Sequence, residues 1–143
     1  MFKGKVREEP AGKGKILSVD LEREEDIPKF ISKFMHALDV KNCFLDLRKK
    51  EGTLTYSDFF SSSDEWWNGY FVDFGLKFSN LIAKLPLHAI EGVIIKLLEL
   101  EVLDFILHTD ALVLRFHHEG YLLIGIKCKI KKIKRVLSGL IKT

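Results

Sequence analysis

Between Ala111 and Lys142 the hydrophobic pattern changes period once, and that change limits the folds open to the chain. ALVLRFHH (111–118) alternates, with Leu112, Leu114 and Phe116 set against Val113, Arg115 and His117. Glu119-Gly120 turns the chain, and YLLIGIKC (121–128) alternates again through Leu122, Ile124, Ile126 and Cys128. Period two belongs to strands, so these residues predict a hairpin. Ile130, Ile133, Val136, Leu137, Leu140 and Ile141 then recur at helical spacing. An amphipathic helix is expected there, with its apolar side covering a sheet. Hairpin and helix together ask for an α+β layer structure.

The same helix carries a charge asymmetry. Residues 127–143 hold seven Lys+Arg and no acid, while residues 1–126 hold 16 Lys+Arg against 20 Asp+Glu, so the net +3 divides into +7 and −4. Lys131, Lys132, Lys134 and Arg135 read as the solvated side of the helix, and cations in its last turn would suit its dipole. The functional alternative for these four residues is an anion-binding face.

Upstream, KILSVDLE (15–22) alternates and predicts a short strand, whereas residues 1–15 read as a mobile tail or loose hairpin. Asp26 is placed to cap a helix whose stripe is Ile27, Phe30, Ile31, Phe34, Met35 and Leu38. VKNCFLDLRK (40–49), a turn at Lys50-Glu51-Gly52 and TLTYSDFF (53–60) predict a hairpin. Trp67, Tyr70, Phe71, Phe74, Phe78, Leu81, Ile82 and Leu85 keep helical spacing, which predicts one long helix over 66–85 opened by Ser62 and Glu65. Pro86 interrupts it, HAIEGVIIKLLE (88–99) predicts a shorter helix, and Leu100 to Leu107 predicts a strand covered on both faces.

Several functions fall away. Glu91, Lys96, Glu99, Glu101 and Asp104 interrupt the greasiest stretch, so no membrane span is expected, and MFKGKVREEPAGKGK lacks the apolar run of a signal peptide. Two cysteines make no disulfide framework, which fits a cytoplasmic protein with reduced thiols. AGKGK fails as a phosphate loop, because Arg7 stands where glycine is needed and Gly14 follows Lys13. His117, His118 and Glu119 lack a metal-ligand spacing, and neighbours on a strand point to opposite faces. No nucleophile elbow occurs, so neither enzyme activity nor a cofactor is expected. The absence of glutamine beside plentiful lysine and glutamate resembles a thermophile composition.

Over residues 26–143 the expected order is helix, strand, strand, long helix, strand, strand, strand, helix, ending in EGYLLIGI and IKKIKRVLSGLIK. Together with FISKFMHALDVKNCFLDLRKKEGTL and the helix from Trp66 to Leu85, this resembles the roadblock family, which includes dynein light chains and prokaryotic regulators of Ras-like GTPases. The resemblance implies a roadblock/profilin-like domain over 26–143 behind an N-terminal extension, 1–25. Its five-stranded antiparallel sheet would run 2-1-5-4-3, with the long helix on one face and the first and last helices on the other. It also implies a non-enzymatic dimeric platform for a small Ras-like GTPase. The expected homodimer interface is Trp66, Trp67, Tyr70, Phe74, Gly75, Phe78, Val102, Phe105 and Leu107, and the partner surface is Asn68, Asp73, Lys77 and Asn80. Two other readings stand beside it: a binder of nucleic acid or an anionic surface through the terminal helix, and a small enzyme. Nucleic acid is not the expected partner.

Overall fold

β6 (Leu112–Phe116) and β7 (Leu122–Ile126) form the expected hairpin, with Leu114 opposite Ile124. The computed structural model describes residues 1–48, 63–102 and 104–143. On one side of the hairpin, β7 pairs with β2 (Ile16–Leu21), β2 with β1 (Phe2–Glu8), and β1 with β8 (Ile141–Lys142). On the other, β6 pairs with β5 (Ile106–His108), β5 with β3 (Phe44–Asp46), and β3 with β4 (Ile82–Lys84). Among the described residues the sheet therefore has eight strands in the order β4-β3-β5-β6-β7-β2-β1-β8. Every pair is antiparallel except β1 with β8, which is parallel.

This corrects the expected five-stranded antiparallel sheet and its central helix, though the α+β class holds. The predicted helix over 66–85 breaks because the side chains of Asp64 and Asn68 capture the backbone N–H groups of Phe78, Asn80 and Leu81. α2 spans only Asp64–Tyr70, a 3-10 turn covers Val72–Phe74, and Gly75 at φ 66° ends it in the left-handed region. The Asn68 side-chain oxygen accepts the Phe78 N–H at 2.6 Å, and the Asp64 carboxylate accepts the N–H groups of Asn80 and Leu81 at 3.0 and 2.8 Å. The chain folds back and becomes β4. Trp67, Phe71 and Phe78, spaced as on a helix, instead meet across the fold-back with ring centroids 6.0–6.3 Å apart.

Around it, α1 (Ile27–Leu38), α3 (Ile90–Glu99) and α4 (Ile130–Leu140) fall close to their expected positions. The stretch from Leu100 to Leu107 is mostly not strand. Glu101 and Asp104 are left-handed at φ 56° and 60°, and pairing starts only at Ile106. The 40–60 hairpin keeps only Phe44–Asp46 as strand among the described residues, and its second arm lies outside them. Residues 1–21 form a hairpin of β1 and β2 joined through a 3-10 turn at Pro10–Gly12.

Helices α1, α3 and α4 cover one face of the sheet. Leu17, Leu45, Leu107, Leu114 and Ile124 lie in register across the strands and pack with Phe30, Phe34, Val93, Leu97, Ile133 and Leu137 in one core. Residues of the alternate register, among them Phe44, His108, Val113, Arg115 and Leu123, are only partly buried. Among the described residues no helix is long and apolar enough to cross a membrane.

Candidate functional site

The expected dimer residues do not form one surface. Trp67, Phe78, Val102, Phe105 and Leu107 are buried in the chain's own core, and Phe105 stacks on Phe116 at 5.2 Å. Tyr70 and Phe74 are half-buried, while Gly75 and Trp66 are exposed, with Trp66 stacked on Tyr70 at 5.4 Å. β5 lies between β3 and β6, so it offers no edge to a second chain. The expected partner residues Asp73, Lys77 and Asn80 are exposed, but on the fold-back rather than on a helix face, and Asn68 is occupied by Phe78. The sequence holds apolar surplus in this region; the fold-back consumes it within one chain.

What is left open lies at the far edge of the sheet, between β1 and α4. The Lys3 carbonyl accepts the Glu22 N–H at 3.0 Å, and the Glu9 N–H donates to the Ile16 carbonyl at 2.9 Å. In an antiparallel ladder both backbone groups of a residue point the same way. Lys3, Lys5, Arg7 and Glu9 therefore face β2, and Gly4, Val6 and Glu8 face outward. β8 accompanies only Phe2 and Lys3, so Val6 and Glu8 have no strand beside them among the described residues. Next to them lies a groove of about 370 Å³ lined by Val6, Leu17, Leu137, Ile141, Ser138 and Thr143, with Arg7 and the Glu8–Lys134 pair at its rim. Val6 is opposite Val19, which is fully buried, yet remains 37% exposed.

The cationic residues surround this edge. Lys131 and Arg135 are exposed, and Lys132 and Lys134 are half-buried. Lys134 donates from Nζ to Glu8 Oε1 at 2.6 Å. The expected match to the helix dipole is reversed: α4 has no basic residue in its last turn and no acid in its first, and Lys131 and Lys132 sit at its positive end. That placement is unfavourable for the isolated helix. Lys3, Lys5 and Arg7 on β1 and Lys142 on β8 are also exposed, so the edge as a whole is basic.

A second constellation lies on the partly exposed sheet face, and its two histidines carry no metal-ligand spacing in the sequence. Asp104 is buried, its Oδ1 accepts Arg115 Nη2 at 2.8 Å, and its Oδ2 lies 3.1 Å from His118 Nδ1. His117 stacks on His118 at 4.1 Å and on Tyr121 at 4.3 Å. Burial, and then the neighbouring His118, lower the His117 pKa from its ordinary value. Arg115 Nε is buried without a hydrogen-bond partner. Asp46 repeats the construction: fully buried, it accepts Arg48 Nε and Nη2 at 3.0 and 2.9 Å, with His108 Nε2 at 3.1 Å. His117 and His118 do not diverge as strand neighbours would, because β6 ends at Phe116 and both histidines belong to the turn.

Comparison with protein-family models, with curated proteins and with solved structures returns no match.

Proposed function

We propose that the chain is a non-enzymatic interaction module that binds an extended acidic segment of a partner protein along β1, beside α4. One observation carries the reading: Val6 and Glu8 turn outward, beside an apolar groove, backbone groups that no strand pairs among the described residues. An added strand would complete the ladder with main-chain hydrogen bonds, and alternate side chains would enter the groove. Charge selects the occupant. Lys3, Lys5, Arg7, Lys131, Arg135 and Lys142 flank the edge, so a segment carrying Asp or Glu around one apolar anchor complements it. Lysines on an edge strand also discourage pairing with further copies of the same basic strand.

The GTPase platform inferred from the resemblance needed two copies of a long central helix side by side. α2 ends at Tyr70, so the interaction reading moves to the β1 edge. The anionic-surface reading shares the same cations but makes no use of the free backbone, and this difference separates the two.

The experiment selects peptides from a displayed random library and measures fluorescence anisotropy of the winners against the chain and a Val6→Pro variant. The Val6 N–H points away from β2, so proline there removes a donor for the incoming strand and none from the ladder. Acidic peptides with an apolar anchor should be selected and should bind Val6→Pro at least about tenfold more weakly, as for loss of a backbone hydrogen bond to a bound strand. Binding that ignores Val6→Pro but vanishes in Lys131→Glu/Arg135→Glu would transfer the function to a purely electrostatic surface. Dimerisation lost in Val6→Pro would make the occupant a second copy.

A further inference from the structure

We propose that Asp104, His117 and His118 form a binding site for a single divalent transition-metal ion, zinc being the best match to their donors. One ligand atom from each of the three lies within 4.8 Å of the others. A tetrahedral zinc ion with bonds of roughly 2.0–2.1 Å needs donors about 3.3 Å apart, so a contraction of up to about 1.5 Å assembles the site. The moving part is the turn. His117, whose carbonyl accepts the Gly120 N–H at 2.8 Å, is held to Tyr121 through its own N–H at 2.8 Å. His118 and Glu119 lie between these ties, and Gly120 takes φ 95°, where a side chain would be strained.

The fixed part is Asp104. It stands at φ 60° two residues before β5, a conformation aspartate tolerates better than most residues, and its carboxylate meets Arg115 of β6. Arg115 holds Oδ1, which leaves Oδ2 for the ion and orients it, as outer partners of metal ligands commonly do. The guanidinium charge also opposes the cation, so moderate affinity is expected rather than that of a structural zinc site.

A carboxylate only accepts, so the 3.1 Å contact with Oδ2 requires a proton on His118 Nδ1. Coordination at that nitrogen displaces this proton, to Nε2 when the imidazole is neutral and to solvent when it is charged. His117 Nδ1 already presents a lone pair, because it accepts the Glu119 N–H at 3.1 Å. The ion takes the place of that N–H, and Nε2 keeps its proton. Three protein donors leave a position for water or an exogenous ligand. His118 is exposed and His117 half-buried, so the ion reaches the site directly from solvent.

Asp46 is the internal contrast. It has the arginine and one histidine but no second imidazole, and among the described residues only the Asp104 cluster brings three such donors together. His108→Ala therefore serves as the control. Chelator-treated protein is titrated with zinc sulfate by calorimetry and with cobalt(II) by visible absorption. A single ion per chain is expected, with affinity lowered about tenfold or more in His117→Ala, His118→Ala and Asp104→Asn and unchanged in His108→Ala. No binding at millimolar zinc, or binding that survives His118→Ala, overturns the proposal, as does equal loss in His108→Ala. Should the variants misfold, imidazole-nitrogen NMR of the unmodified chain decides. Zinc must shift the Nδ1 resonances of His117 and His118 and leave those of His108 in place, and any other pattern rejects the site.

Discussion

Tyr70 and Lys96 hold each other at both ends. The Tyr70 hydroxyl donates to the Lys96 carbonyl at 2.9 Å, Lys96 Nζ donates to the Tyr70 carbonyl at 2.7 Å, and the ammonium lies 4.4 Å from the tyrosine ring centroid. The pair docks the short helix α2 on α3 and satisfies a carbonyl that the premature end of α2 leaves without a helical partner. Tyr70→Phe removes one bond and should cost about 0.5–1.5 kcal/mol, and Lys96→Met should cost somewhat more because the carbonyl loses its donor. Urea denaturation of both single variants and the double should reveal a favourable coupling; strict additivity would mean that the two bonds act separately.

Two glycine substitutions should act with opposite sign. A Cβ at Gly4 would lie 2.6 Å from the Asp20 carbonyl oxygen, a backbone atom that moves only if β1 and β2 separate. Gly4→Ala should destabilise by roughly 1–3 kcal/mol. At Gly139, near the end of α4, nothing lies within 4 Å of the added methyl. Gly139→Ala should stabilise by about 0.4–1 kcal/mol, chiefly by restricting the unfolded chain. Thermal denaturation of the two variants checks the signs.

The orientation of α4 can be tested by charge. Ile133 and Leu137 are its buried residues, so Ile133→Asp or Leu137→Asp should cost several kcal/mol, roughly 2–4, by placing an unpaired carboxylate in the core. Lys131→Glu should cost nothing and should add up to about 1 kcal/mol, because it puts an acid at the positive end of the helix. Lys134→Glu should cost somewhat more, up to about 1 kcal/mol, because it replaces an exposed ion pair with Glu8 by a repulsion. Denaturation midpoints that rank these substitutions in the reverse order would mean that α4 is turned the other way.

Cysteine reactivity should divide cleanly. Burial pushes the Cys43 thiol up to about 12, while Cys128 is exposed. Native protein should therefore react with a thiol reagent at Cys128 alone, and Cys43 should react only on unfolding. The folded thiol ionises at higher pH than the unfolded one, so the folded state binds more protons above pH ~9 and stability falls as pH rises from there toward about 12. Cys43→Ser should remove most of that alkaline loss, and an unchanged slope would place its origin elsewhere.

Local periodicity sufficed wherever an element buries one regular face. The β6–β7 hairpin, α1, α3 and α4 needed only their own spacing, because Ile133 and Leu137, or Leu114 and Phe116, face one core whatever the rest of the chain does. The long helix was not legible, since an aromatic at every third or fourth position describes equally well a helix stripe and a cluster closed by a fold-back. The choice fell to Asp64 and Asn68, whose oxygens bind N–H groups ten to seventeen residues away. The candidate sites were hidden for a related reason. Asp104, His117 and His118 are distant or wrongly spaced in sequence and meet only because β5 pairs with β6, and the free backbone of Val6 depends on where β8 stops. Amphipathic spacing is a property of one segment and can be read along it. The company a buried carboxylate keeps, or the edge a strand leaves bare, is a property of strand order, which long-range pairing alone decides.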